Sequence, residues 1–191
     1  MAAAMGITIA VAIFFAPLAS AGEKSDRILA AELLILRGDL ERLQKGDDLP
    51  AAHRRGLNDR IASSRGLLPW LLKQAGDTSE DLESGKLNRL IARHPLDLDP
   101  FTTNKVTPDG WRQAAAIHAT YCASCHDDAG SGDPDQPLPA RDLYKMAQQA
   151  DPVTFLARLI NGVKGDQSLL FANPLTDPQL QAMWMFYLRG P

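Results

Sequence analysis

The chain has 191 residues, 45% of them hydrophobic and 23% charged, with 13 prolines and 14 glycines, a balance that excludes disordered and fibrous proteins. A formal charge of −3 provides no basic field for nucleic acid, and no block of like charge marks an interaction tail.

The first 21 residues carry no charged side chain and run apolar from Ile7 to Ala19. They end in Ala19-Ser20-Ala21, a small-x-small cleavage pattern, so residues 1–21 read as a signal peptide with a mature start near Gly22. No Lys or Arg precedes the apolar core, and read from Met1 to Ala21 the same stretch also suits an uncleaved membrane anchor.

Residues 22–94 carry three helical stripes. In the first, Ile28, Leu29, Leu33, Leu34, Leu36, Leu40 and Leu43 recur at helical spacing between Ser25 and Asp47, with Gly38 weakening the middle. The second comes after Pro50 and carries Leu57, Ile61, Leu67, Leu68, Trp70, Leu71 and Leu72 up to Gly76. Pro69 predicts a kink there, or two helices meeting near Arg65-Gly66. The third is capped by Thr78 or Ser79, has Glu80 and Asp81 in its first turn, and ends at His94-Pro95. These stripes predict a small antiparallel hairpin or three-helix bundle, either standing alone or packed on the C-terminal half of the chain. Trp70 is expected in its core, His53 in solvent between Ala52 and Arg54-Arg55, and His94 as a polar group at a helix end. Residues 95–107, rich in proline with alternating Asp and Leu, read as a linker or extended strap.

Thr107 as cap and Pro108 in the first turn open a predicted helix over 109–121, whose face Trp111, Ala114, His118 leads into Cys122. Then comes Cys122-Ala123-Ser124-Cys125-His126, the C-x-x-C-H signature of a covalently attached c-type haem. Two thiols so spaced meet the two vinyl groups of one porphyrin, and the imidazole after the second turns toward the iron. A redox dithiol wants a βαβ context and a zinc site wants about four ligands, neither of which is visible; an ordinary disulfide is the third competitor. As these are the only cysteines, the sequence predicts one haem c, with His126 as proximal iron ligand and His118 as a packing and hydrogen-bonding residue. Export and covalent haem together point to the periplasm, or to the outer face of the cytoplasmic membrane if the N-terminal segment is retained.

From about Pro108 to Gly190 the chain resembles a class I cytochrome c domain. The resemblance implies an all-α fold, with a haem domain over 108–191 preceded by the small helical bundle. It also implies that the Pro139 carbonyl orients the His126 ring, that Pro152 to Leu159 is the middle helix closed by Asn161-Gly162, and that a final helix begins at the capping box Thr176-Asp177-Pro178-Gln179. Ala114 and His118 would stand at the small and aromatic positions where the first and last helices cross. The chain departs from the family pattern between Gly162 and Pro174, which contains no methionine to serve as distal ligand. Met183, Met146 and Lys164 are weak candidates, His53, His94 and His118 are others, and an open sixth position walled by Leu169, Leu170 and Phe171 is the alternative.

The resulting expectation is an exported monohaem cytochrome that carries single electrons between periplasmic or membrane-associated redox proteins. The alternatives are a haem-based ligand-binding or sensor protein, and a non-catalytic haem subunit of a larger oxidoreductase complex. Acid and base residues for substrate chemistry are not evident.

Overall fold

The structure, a computed structural model, describes residues 21–46, 49–79, 82, 84–127, 139–162 and 173–190; the signal segment, Lys164 and the Leu169 to Phe171 wall lie outside them. The described residues are helical, with no strand among them, and the long apolar stretches of the sequence have become helices packed around two cores.

Helix α1 (Ala21–Lys45) joins the two cores because apolar residues occupy both of its sides. Leu29, Leu33 and Leu36 pack with α2 (Ala51–Gln74) and α3 (Ser84–Arg93), whereas Ala31, Leu34 and Ile35 enter a second core with α8 (Pro152–Asn161) and α9 (Asp177–Arg189). Each such leucine or isoleucine removed from water contributes about 2 kcal/mol. The N-terminal helices are thus packed on the C-terminal ones. Polar links run along the same seam: Arg27 grips Asp177 with bonds of 2.5 and 3.1 Å, and Asn161 donates to the buried Glu32 at 3.1 Å.

Gly38, which weakens the helix on propensity alone, lies where α1 passes closest to α8. A Cβ there would stand 2.8 Å from the Thr154 methyl and 3.4 Å from an Arg158 guanidinium nitrogen. Thr154 cannot rotate away easily, since its hydroxyl donates to Asp151 at 2.8 Å. Gly38→Ala is therefore expected to destabilise the protein by about 1–3 kcal/mol through overpacking, reduced by the ~1 kcal/mol that alanine gains in a helix. Chemical denaturation of the single variant and of Gly38→Ala combined with Thr154→Ala checks this, the second change restoring part of the loss.

Two expectations are corrected. Helix α2 is continuous rather than two helices meeting near Arg65-Gly66; Arg65, Gly66 and Pro69 all face water, where a carbonyl deprived of its helical partner is hydrated. Trp70 is 57% exposed rather than core: Leu68, Leu71 and Leu72 take the buried side of that turn and leave Trp70 on the other. Helix α3 begins at Ser84, while Glu80 and Asp81, expected in its first turn, lie outside the described residues; Asp77 accepts the Ser79 backbone N–H at 2.9 Å and closes a turn there. The strap at 95–107 includes a short helix, α4 (Asp99–Thr102), that buries Phe101. Gln181 of α9 holds this strap by donating to the carbonyls of Phe101 at 3.0 Å and Asn104 at 2.5 Å.

The C-terminal elements match their sequence signals closely. Thr107 caps α5 (Pro108–Ile117) by accepting from Gly110 N–H at 3.1 Å, and the Gln179 side chain reaches back to the Thr176 N–H at 2.9 Å at the start of α9. Ala114 is fully buried where α5 packs on α9, and Gly162 ends α8 with φ +71°, a backbone region that favours glycine. None of the described helices is long and apolar enough to cross a membrane.

Candidate functional site

Helix α5 leads through a π-helical turn, His118–Cys122, into the short helix α6 (Ala123–His126). A π turn adds a residue to the helical circuit and shifts the side chains beyond it, a distortion frequent at functional sites. Both cysteines are free thiols, Cys122 half-buried and Cys125 exposed.

His118 is 8% exposed and anchors this turn. Its Nε2 lies 2.8 Å from Asp127 Oδ1 and its Nδ1 2.9 Å from the Tyr187 hydroxyl. An ionised carboxylate only accepts, so Nε2 carries the proton and Nδ1 accepts from Tyr187. With both ring nitrogens engaged, His118 acts as the packing and hydrogen-bonding residue expected. Tyr144, Phe186 and Tyr187 surround its ring at centroid distances of 5.5, 5.8 and 5.6 Å. Burial, and then a hydrogen bond with Cys122, push the Tyr187 hydroxyl well above the usual tyrosine range. It stays protonated and ties α9 to the first cysteine.

His126 is half-buried, and its Nδ1 stands 2.6 Å from the Arg141 carbonyl. A carbonyl accepts, so Nδ1 carries the proton and Nε2 keeps the lone pair needed to bind a metal. The family resemblance assigns this carbonyl to Pro139; it comes instead from two residues further on. The reason lies in Asp142, whose side chain accepts from Lys145 N–H at 3.0 Å, caps α7 (Leu143–Gln149) and so fixes the peptide before it. An aspartate immediately before the helical stretch Leu143–Gln149 is the sequence signal for that cap. Two thiols and one imidazole with a free lone pair, carried by the end of the π turn and the short helix α6 that follows it, form a donor set that could hold a porphyrin through two thioethers and one axial bond.

Met183 is 1% exposed within the core of α1, α8 and α9, as its position on the apolar stripe implies, and Met146 on α7 packs half-buried against that core. His94 lies 2.9 Å from Asp77, which also accepts from Arg93. His53 departs from its expected solvent position, since its Nε2 is buried and makes no hydrogen bond among the described residues.

Sequence reasoning misses a charged centre next to this site. Asp39 of α1 is wholly buried and accepts from Arg60 of α2 at 2.6 Å and from Arg158 of α8 at 2.7 Å. An aspartate in an apolar helix stripe is the available signal. Comparison of the chain with known families, curated proteins and solved structures finds no match.

Proposed function

We propose that the chain is a c-type cytochrome in which Cys122 and Cys125 form the thioethers, His126 is the proximal iron ligand, and residues 108–191 are the haem-bearing part. Within that class its role is that of an exported monohaem carrier, passing single electrons between redox proteins or oxidoreductase complexes of the periplasm or the membrane surface. One observation carries this reading: on the turn that bears both thiols, His126 donates from Nδ1 to the Arg141 carbonyl at 2.6 Å and keeps Nε2 for a metal. The haem supplies a reversible one-electron couple. The chain's own part is to orient the imidazole through Arg141 and to fix the thiol-bearing turn through His118 and Tyr187.

The test is a redox titration of the exported protein with absorption spectra taken with and without carbon monoxide. A carrier titrates in a single one-electron step, and its reduced spectrum does not change under the gas. A specific observation favours a second reading, a haem protein with an open sixth position: residues 162–174 contain no methionine and Met183 is spent in the core. Rapid carbon monoxide binding by the reduced protein, with a high-spin ferric spectrum, selects that reading instead.

A further inference from the structure

Among the described residues, the charged centre around Asp39 gathers more arginines than its one carboxylate neutralises. Arg60 and Arg158 grip the single Asp39 carboxylate, and two more guanidiniums share the same surroundings. Arg42 lies three residues beyond Asp39 on α1, one helical turn along the same face, and Arg141 belongs to the segment entering α7. Among the described residues, four guanidiniums thus share their surroundings with this one carboxylate. Arg42 and Arg141 are half-buried and make no ion pair among the described residues. Burial, and then the neighbouring arginines, lower the Arg42 pKa to about 10. Half-buried like charges oppose folding unless an anion completes the group.

The position of the cluster indicates which anion. Its Arg141 supplies the carbonyl that holds His126 at 2.6 Å, so the arginines begin on the residue that orients the axial imidazole. A haem carries two carboxylates on the porphyrin edge away from the vinyl groups that cysteines capture. A paired carboxylate is also what a set of planar guanidiniums recognises best. Resting on the haem reading given above, we propose that Arg42 and Arg141, backed by Arg60 and Arg158, receive the haem propionates. Helices α1 and α2 then serve the cofactor directly, by closing its acidic edge.

The experiment uses the full-length exported holoprotein and the variants Arg42→Gln, Arg141→Gln and Arg42→Lys. Neither glutamine variant removes an ion pair seen among the described residues, so folding is not at risk from a broken bridge. Removing a positive charge beside the propionates favours the ferric state. Both glutamine variants are therefore expected to show a lower midpoint potential and a shifted propionate band in resonance Raman spectra, whereas Arg42→Lys keeps the potential near that of the parent. Wild-type potential and an unchanged propionate band in both glutamine variants, with haem still covalently bound, overturn this inference and leave the cytochrome reading standing. Absence of covalent haem from the parent protein removes both.

Discussion

On the proposed cytochrome reading, a Cys122→Ala, Cys125→Ala double variant is expected to lose all haem that survives denaturation, and the parent chain to keep one haem through heating in detergent. The expectation comes from counting bonds: each thioether is covalent, these two thiols are the only ones in the chain, and both are free in the structure. Either single variant retains one thioether and stains more weakly. The measurement is haem staining of a denaturing gel for the parent and the three variants. Haem persisting on the double variant would sink the assignment of the cofactor to this pentapeptide.

Replacing Asp39 by alanine has the next largest expected effect, on stability rather than on cofactor attachment. Removing one partner of a buried ion pair leaves the other charge uncompensated and costs about 3 kcal/mol or more. Here two partners are stranded at once, Arg60 and Arg158, themselves about four-fifths buried. The urea midpoint of Asp39→Ala should fall accordingly, with Asp39→Asn close behind because the neutral amide keeps the shape without the charge. A pH dependence accompanies this. Burial alone would raise the Asp39 pKa, but the charges of Arg158 and Arg60 and their hydrogen bonds outweigh it and bring the group below its ordinary value of 3.8. Its contribution to stability is therefore complete above that value and is lost as the pH falls through the lower folded-state pKa. Asp77 behaves in the same sense, held down by its hydrogen bonds with Ser79 and then His94. Stability of the parent drops steeply in acid, and the acid limb of Asp39→Ala is shallower.

The helices are largely legible in the sequence because their signals are local. Thr107 with Pro108, Thr176 with Gln179, and the alternation of leucines along α1 depend on neighbours within a turn or two. The failures occur where distant partners decide. Trp70 reads as core by composition, yet the rotation of α2 is set by Leu68, Leu71 and Leu72 meeting another helix. Gly38 reads as a defect until Thr154, more than a hundred positions away, arrives beside it. In the candidate site the three donors stand in one pentapeptide and are legible there. The carbonyl behind His126 lies two residues from its expected place, because only the cap at Asp142 determines which peptide turns inward. The arginines about Asp39 come from α1, α2, α8 and the segment before α7, and no spacing rule joins such positions.

The two-sided apolar surface of α1 also sets the order in which the protein can be completed. As the chain is synthesised the N-terminal helices emerge first, and α1 can pair at once with α2 and α3 through Leu29, Leu33 and Leu36. Its other side, Leu34 and Ile35, must wait for α8 and α9, and Arg27 for Asp177, which lies 150 residues later. Contacts so distant in sequence close slowly. Between those two events an apolar helix face stays open to water. On the proposed haem reading, that interval is when the chain is least closed around the two cysteines that receive the cofactor.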